Sequence, residues 1–326
     1  MRLAVPLEID PGALSGWKPG APVVDLRGET MGTTWHVRLA QPPGLHVNSL
    51  RQAIEQRLEA ILAQMSHWRE DSLLGGFNRA AAGTWLALPA DFATVWEAAL
   101  SVGEASGGAF DAAAGRLVNL GGFGPTPAAQ APDHDAIGQS LRHVGAHRLA
   151  YDAETRRLRQ PGGVHLDFSG IAKGFAVDAL GELLTRRGCH HALVEIGGEL
   201  LGLGLRPDGD PWWVDLETPT AESAPLRIAL HQMAVATSGD YVRGRHTIDP
   251  RTGAAVPHML SLSVLHRSAM MADAWATALT VLPPSEMQWL ATRERLAVRA
   301  LARDEQGVME WISPALERMM VDAAVD

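Results

Sequence analysis

The chain reads Leu166-Asp167-Phe168-Ser169-Gly170-Ile171-Ala172-Lys173-Gly174 near its centre. This pattern predicts a strand that ends at Asp167, a turn through Ser-Gly, and a helix with a lysine in its first turn. A cation at that end opposes the helix dipole. The arrangement suits an anion such as phosphate, which free backbone N–H groups and the Lys173 ammonium could both bind. The alternative is a solvated lysine on a surface helix with Asp167 as its cap, and the spacing alone does not decide between the two.

Helices and strands alternate irregularly on either side of this stretch. Apolar residues at helical spacing predict helices over residues 49–65, 91–105, 171–187 and 269–282. Short apolar runs predict strands over residues 23–26, 33–39, 192–196, 212–216, 227–230 and 243–248, and a hairpin near the C-terminus across residues 304–307. Because the regular βα alternation of a doubly wound sheet is missing, we expect an α+β fold of mixed sheets with packed helices.

The first residues and one internal segment differ from the rest in composition. Residues 1–22 contain four prolines and three glycines and predict an irregular N-terminal lead-in, followed by one domain over residues 23–326. Residues 121–135 are rich in Gly, Pro and Ala, which predicts a linker, a flexible loop or a lid over a site. Such a segment would allow the domain to have two lobes.

Charge and composition exclude several classes of partner. The net charge is −9, with 28 Lys and Arg against 37 Asp and Glu, which argues against a nucleic-acid or anionic-membrane surface as the main partner. We find no secretion signal and no run long enough to span a membrane, so we expect a cytoplasmic protein. Cys189 is the only cysteine, which excludes an internal disulfide and a thiolate metal cluster.

The helix predicted over residues 269–282 carries one charge, Asp273, among alanines and a tryptophan. An unpaired buried charge costs on the order of several kcal/mol, so this carboxylate needs a partner. Thr277 follows one turn later on the same face. A carboxylate and a hydroxyl form a sparse all-oxygen pair, which suits Mg²⁺ better than Zn²⁺. The alternative is an aspartate bonded to backbone donors and a threonine bonded to its own helix.

A histidine, a carboxylate and a turn lie together in Arg245-His246-Thr247-Ile248-Asp249-Pro250-Arg251-Thr252-Gly253. The pattern predicts a strand that enters a type I turn with Pro250 at its second position. It places His246 and Asp249 at the rim of a sheet. His246 is the candidate general base near neutral pH if a neighbour holds its ring, although a lone histidine is more often structural.

Several separated motifs occur in an order that is specific when they are taken together. They are Met31-Gly32-Thr33-Thr34-Trp35, Ser66-His67-Trp68-Arg69, Ala109-Phe110-Asp111, Asn119-Leu120-Gly121-Gly122-Phe123-Gly124, the stretch from 166 to 174, Gly197-Gly198, Ser238-Gly239-Asp240, the stretch from 246 to 253, and Ala272-Asp273 to Thr277. In order and approximate spacing they resemble the FAD:protein FMN transferase family, the ApbE-like flavin transferases. The resemblance covers roughly residues 28–315.

The resemblance implies an ApbE-like, T-fold-like α+β fold and a Mg²⁺-dependent enzyme. Members of the family cleave FAD at its pyrophosphate, attach FMN by a phosphoester bond to a threonine of a target flavoprotein, and release AMP. By this resemblance, FAD contacts fall on Met31, Trp68, Ala109, Phe110, Asp111, Asp167, Lys173 and Ile248. Metal contacts fall on the Gly170 carbonyl, Asp273 and Thr277, and the family's catalytic histidine falls on His246. Asp249, which shares the turn motif with His246, is the second candidate catalytic residue.

The sequence departs from its relatives in two respects. Many relatives carry a lipoprotein signal and act outside the cytoplasmic membrane, and Gly122 stands where the family often has a tryptophan. Two alternative functions use the same site: an FAD pyrophosphatase, in which water replaces the threonine, and a non-enzymatic FAD-binding protein. The presence of Asp273, Thr277 and His246 argues against the second. An oxidoreductase lacks its nicotinamide fingerprint and redox cysteine pair here.

Overall fold

The computed structural model of the chain describes residues 1–127, 132–220, 223–239, 247–257, 259–304 and 307–321. In these ranges the helices are α1 (Val47–Met65), α2 (Leu73–Arg79), α3 (Ala90–Ala105), α4 (Gly115–Leu120), α5 (His134–Leu141), α6 (Ala172–Arg186), α7 (Ala269–Val281), α8 (Pro284–Arg293) and α9 (Pro314–Glu317). The strands are β1 (Arg2–Ala4), β2 (Val23–Thr30), β3 (Thr33–Ala40), β4 (Trp85–Ala87), β5 (Ala150–Asp152), β6 (Arg157–Arg159), β7 (Ala192–Ile196), β8 (Glu199–Leu203), β9 (Trp212–Asp215), β10 (Leu226–Leu230), β11 (Met233–Ser238), β12 (Met259–His266), β13 (Ala297–Asp304), β14 (Gly307–Ile312) and β15 (Met320–Val321).

An eight-stranded antiparallel sheet forms the centre of the fold, in the order β14-β13-β12-β11-β8-β7-β3-β2. In strand β7, the alternation of residues determines which face of the sheet is buried. Ala192, Val194 and Ile196 are buried, and Leu193 and Glu195 alternate with them and are partly exposed. Helix α6 packs against β7 and β8, and α7 packs against β11 and β12. The sheet therefore supports both the helix with the predicted phosphate site, α6, and the helix with the predicted metal ligands, α7.

Helices α6 and α7 approach each other closely at their N-terminal ends. A Cβ added to Gly174 on α6 would lie 2.2 Å from the carbonyl oxygen of Ala269 on α7, so only glycine fits at this position. Helix α7 is apolar on nearly every side and buries ten of its residues between the sheet and α6. The first turns of the two helices therefore lie side by side.

Two smaller sheets complete the described fold. A four-stranded sheet, in the order β15-β1-β10-β9, packs Trp212, Leu226 and Ile228 against Val235 and Leu265 of the central sheet. A three-stranded sheet, in the order β4-β6-β5, lies beyond α3. No helix in the described ranges is long and apolar enough to cross a membrane. The α+β fold class expected from the sequence is confirmed.

Two local expectations were wrong. The lead-in over residues 1–22 is not wholly irregular, because β1 pairs in parallel with β10 and buries Ala4, and a short 3-10 helix covers Pro11–Leu14. No strand ends at Asp167. Its segment runs beside residues 112–115, where the Asp167 N–H donates to the Ala112 carbonyl and His165 forms one isolated bridge with Ala114.

The strand expected over residues 243–248 stays a prediction. Its first four residues lie outside the described ranges, and the described end forms only an isolated bridge from Ile248 to Ala255. The turn that follows is present, because the N–H groups of Thr252 and Gly253 donate to the Asp249 carbonyl at 3.2 and 2.8 Å. The predicted C-terminal hairpin is also present as the pair β13 and β14. Residues 128–131 of the predicted loop or lid lie outside the described ranges, and its end forms the start of α5.

Candidate active site

A cavity of about 730 Å³ opens where α6 and α7 begin, beside the turn between β7 and β8 and the loop that follows α3. Most of the residues singled out in the sequence line it. They are Trp68, Ala109, Phe110, Asp111, Asp167, Gly170, Lys173, Ile248, Asp273 and Thr277. These residues come from segments far apart in the chain, so the fold assembles one site from the separate motifs.

Two of the singled-out residues that the structure describes, Met31 and Asp249, do not line the cavity. Met31 lies in the β2–β3 turn with a positive φ of 51° and packs against the main core, while the nearby Thr33 does reach the cavity. Asp249 turns away and pairs with Arg251 at 2.8 Å. His246 lies outside the described residues. The roles assigned to these three residues therefore stay predictions.

Asp273, Thr277 and Gly170 form an all-oxygen corner of the cavity. The Thr277 hydroxyl donates to the Gly170 carbonyl at 3.4 Å, and Asp273 accepts a hydrogen bond from the Gly174 N–H at 3.0 Å. Asp273 is only 3% exposed, and burial raises the pKa of its carboxyl. The described ranges contain no group of three or more His, Cys, Asp or Glu side chains that could hold a metal ion. One carboxylate, one hydroxyl and one carbonyl are the hard, sparse ligands that Mg²⁺ accepts when substrate oxygens and water complete its shell.

Lys173 lies in the first turn of α6, as the sequence predicted, and forms an ion pair with Glu199 at the start of β8. Glu199 was not singled out in the sequence, and only the glycine pair before it marks its position. Burial raises the pKa of Glu199 to about 7, although the Lys173 charge opposes this and the Asp273 charge adds to it. When all three groups are ionised, one positive charge faces two negative charges. The corner then has an excess of one negative charge.

Asp178 fixes the start of α7. Its carboxylate accepts hydrogen bonds from the Ser268 hydroxyl at 2.6 Å, from the Ala269 N–H at 2.8 Å and from the Met270 N–H at 3.0 Å. The two N–H groups are among those that a helix N-terminus leaves without intrahelical partners. Asp178 belongs to α6, so its contacts hold the helix of Asp273 in register with the helix of Lys173.

His67 and Asp167 form a second polar pair at the cavity, with 3.3 Å between Nδ1 and Oδ1. Burial opposes protonation of His67, but the hydrogen bond and charge of Asp167 outweigh it and raise the His67 pKa. Burial likewise opposes ionisation of Asp167, but its contacts with His67 and the Ser169 N–H lower its pKa. His67 belongs to the Ser66-His67-Trp68-Arg69 motif, but its role could not be predicted from the sequence because its partner lies far away in the chain.

An amide clamp sets the position of Asp167. The Asn78 side chain donates to the Leu166 carbonyl at 2.9 Å and accepts from the Leu166 N–H at 2.7 Å. A comparable contact supports the loop after α3, where Asp111 accepts from the Ala113 N–H at 2.7 Å. Burial raises the pKa of the Asp111 carboxyl against these hydrogen bonds. Both aspartates therefore shape the backbone of the cavity wall as well as lining it.

Two aromatic residues border the cavity in different ways. Trp68 is 63% exposed, and its ring centroid lies 5.3 Å from that of His67. Phe110 is buried and belongs to the main core as well as the cavity wall. The exposed indole has a free surface on which a flat ring could stack, whereas Phe110 mainly serves packing.

Comparisons with known proteins agree on one family. A family model described as the ApbE family matches residues 31–302. The chain is 34% identical over 320 residues to the FAD:protein FMN transferase of Haemophilus influenzae, covering 91% of each chain. It resembles the solved flavin transferase ApbE from Vibrio cholerae with a TM-score of 0.87 and 33% identity, over 92% of this chain and 99% of that one. For the apo form of Pseudomonas stutzeri flavinyl transferase ApbE, the TM-score is 0.86 and the identity 33%, over 93% of this chain and 98% of that one.

Proposed function

Since the chain belongs to the ApbE family and is a flavin transferase, we propose that it cleaves FAD at the diphosphate, attaches FMN to a threonine of an acceptor flavoprotein, and releases AMP. The observation that carries this proposal is the convergence of Lys173 with Asp273, Thr277 and the Gly170 carbonyl on one cavity. A cation and a set of oxygen ligands at the starts of two helices suit a diphosphate and a divalent metal.

The charge balance of the corner supports a metal requirement. The diphosphate of FAD is a dianion, and Lys173, Glu199 and Asp273 sum to one negative charge when both carboxyls are ionised. Unlike the Lys173 ammonium alone, a divalent cation at Asp273 would make the corner attractive to the diphosphate. Asp273, Thr277 and the Gly170 carbonyl would hold Mg²⁺, and the bound ion would offset charge that builds on the diphosphate during transfer.

The residues of the chain would then position the substrates and move one proton. The Lys173 ammonium would bind a diphosphate oxygen, and Trp68 would offer its exposed indole to a ring of FAD. His246 would accept the proton of the threonine hydroxyl as the oxygen attacks the phosphorus of the FMN half. The bond from that phosphorus to the bridging oxygen breaks, and the oxygen leaves with AMP. The turn at Asp249 would hold the segment of His246 at the cavity mouth.

The intact mass of a threonine-bearing acceptor tests this function. A purified flavoprotein with a phosphoester-linked flavin is prepared without its flavin and incubated with this protein, FAD and Mg²⁺, with and without EDTA. We expect a gain of one FMN that requires Mg²⁺ and is accompanied by AMP. The same acceptor with its threonine replaced by valine is the matched control and should gain nothing. Release of AMP and free FMN, without a mass gain on any of several acceptors, would identify a pyrophosphatase instead.

A further inference from the structure

Glu199 is the most deeply buried acidic side chain at the cavity that the proposed reaction does not use. It is 2% exposed, and one carboxylate oxygen, Oε1, forms the ion pair with the Lys173 ammonium. Its position is set by a tight turn, because Gly197 and Gly198 have positive φ values of 60° and 102°. A Cβ on Gly197 would also lie 2.8 Å from the Thr33 side chain. The conformation of the turn thus determines the position of the Glu199 carboxylate.

The other oxygen of Glu199, Oε2, is buried and has no hydrogen-bond partner among the described residues. A half-satisfied buried carboxylate is unfavourable, since it loses its contacts with water and regains only part of them. Burial accordingly raises the Glu199 pKa. Glu199 is part of the cavity lining, and among the described residues it is linked to the proposed reaction through its ion pair with the Lys173 ammonium.

We infer that Glu199 is a positioning residue that holds the Lys173 ammonium at one place facing the diphosphate of FAD, and that its negative charge weakens FAD binding while doing so. This inference rests on the proposed function, because it takes the diphosphate to be the group that Lys173 binds. The lysine side chain is flexible and carries its charge at the end. An ammonium held in one place can therefore orient the diphosphate, whereas a mobile ammonium cannot.

Glu199→Gln should have opposite effects on the affinity for FAD and on the rate at which bound FAD is cleaved. Glu199→Gln removes a negative charge next to the dianion, so FAD should bind about three- to tenfold more tightly. The same change weakens the anchor of Lys173, so cleavage of bound FAD should slow by about ten- to a hundredfold. A residue that only supports the fold would lower affinity and rate together, with a fall in melting temperature. The expected split between affinity and rate is therefore specific to a positioning role.

A double-mutant cycle with Lys173→Met tests whether Glu199 acts through the lysine. FAD affinity is measured by calorimetry, and the rate is measured as AMP release in a single turnover with Mg²⁺. We expect Glu199→Gln to change the rate in the native background and to leave it unchanged once Lys173 is methionine. An equal slowing of the rate in both backgrounds would overturn the inference. The calorimetric affinities do not depend on any acceptor, so they remain informative if flavin transfer itself fails.

Two further variants keep the test decisive. Glu195→Gln is the matched control, because Glu195 also lines the cavity. Glu199 pairs with Ile196, and Glu195 precedes Ile196 on β7. Since neighbouring residues of a strand point to opposite faces, Glu195 and Glu199 lie on opposite faces of the sheet. Glu195→Gln should leave the rate and its dependence on Lys173 unchanged. If Glu199→Gln does not fold, Glu199→Asp replaces it in the test. This variant keeps the negative charge, but its side chain is one methylene shorter, so the carboxylate lies farther from the Lys173 ammonium. That variant should slow cleavage without the gain in affinity, and a native rate would contradict the inference.

Discussion

The Asp178 carboxylate on α6 accepts a hydrogen bond from the Ser268 hydroxyl at 2.6 Å, and so joins the start of α7 to the helix that carries Lys173. The Gly174 N–H donates to Asp273 across the same helix pair. The cation and the carboxylate of the proposed site therefore share one supporting contact region.

Replacing Asp178 with alanine should weaken both the fold and the metal site. The N–H groups of Ala269 and Met270 would lose their described acceptor, which we expect to cost about 1–3 kcal/mol of unfolding free energy. Mg²⁺ affinity should fall as well, because α7 carries Asp273 and Thr277. Urea unfolding and calorimetric Mg²⁺ titration measure the two effects. Asp133→Ala is the control, since Asp133 accepts a hydrogen bond from the Ala136 N–H at the start of α5 and should alter stability alone.

Asp273→Asn should abolish the response of FAD cleavage to Mg²⁺ without lowering the stability of the FAD-free protein. Burial raises the pKa of this carboxyl, so losing its charge removes an unfavourable group from the folded state. AMP release across a Mg²⁺ titration and a thermal melt measure the two effects. Asp215→Asn removes a carboxylate from the rim of the same cavity and should leave the Mg²⁺ response intact. An undiminished response in the Asp273 variant would exclude the metal assignment.

Gly170→Ala should also weaken Mg²⁺ binding, by about tenfold or more, through a purely steric effect on Thr277. The added Cβ would lie 2.8 Å from the Thr277 hydroxyl oxygen and 3.0 Å from its methyl carbon, so the threonine must move. Calorimetric titration with Mg²⁺ alone measures the change. Gly138→Ala on α5 meets nothing within 4 Å and serves as the control. Native Mg²⁺ affinity in the Gly170 variant would show that Thr277 is not a ligand.

His246→Ala should leave FAD affinity nearly unchanged and slow flavin transfer by about 10²- to 10⁴-fold, the usual contribution of a general base. Fluorescence titration of FAD and single-turnover mass analysis of the acceptor separate the two quantities. His190→Ala removes an exposed histidine far from the motif and controls for the loss of an imidazole. A native transfer rate in the His246 variant would remove the base assignment.

The pair of His67 and Asp167 should make the stability of the FAD-free protein depend on pH. Because the folded pKa of His67 is raised, its stabilisation is fully present below the unfolded value of 6.5 and is lost as the pH rises through the folded value. Asp167 has a lowered pKa, so its stabilisation is present above 3.8 and is lost as the pH falls through its folded value.

The unfolding free energy of the native chain should therefore exceed that of His67→Asn most clearly in weakly acidic solution, and the difference should shrink as the pH rises through the raised pKa of folded His67. Urea unfolding of both proteins over a pH series measures this difference, which cancels the contributions of the other histidines. A difference that is constant across the series would contradict the raised pKa.

Local patterns in the sequence were sufficient to predict the elements that carry the site. The helical repeat from Leu50 to Met65 predicts α1 to within two residues, and the first turn of α6 carries Lys173 as expected. Thr277 shares a helix face with Asp273 because four residues make about one turn. In each case the relevant neighbours are close in the chain, so periodicity alone identifies them.

Contacts between distant segments could not be predicted in this way. Glu199 meets Lys173 only because β8 lies beside α6, and His67 meets Asp167 only because α1 ends next to the segment that Asn78 clamps. Strand β1 was missed for the same reason, since its three residues become a strand through pairing with β10, more than two hundred residues away. The composition of residues 1–22 does not indicate that this segment pairs with β10.

Trp68 gives the cavity an optical signal of its own. An indole that is 63% exposed emits at longer wavelength than a buried one and is open to quenching by dissolved iodide. An isoalloxazine ring bound nearby would absorb that emission and shield the ring from the ion. Occupancy of the site can therefore be followed by light as the part of the emission that Trp68→Phe removes, without a label and before any acceptor is known.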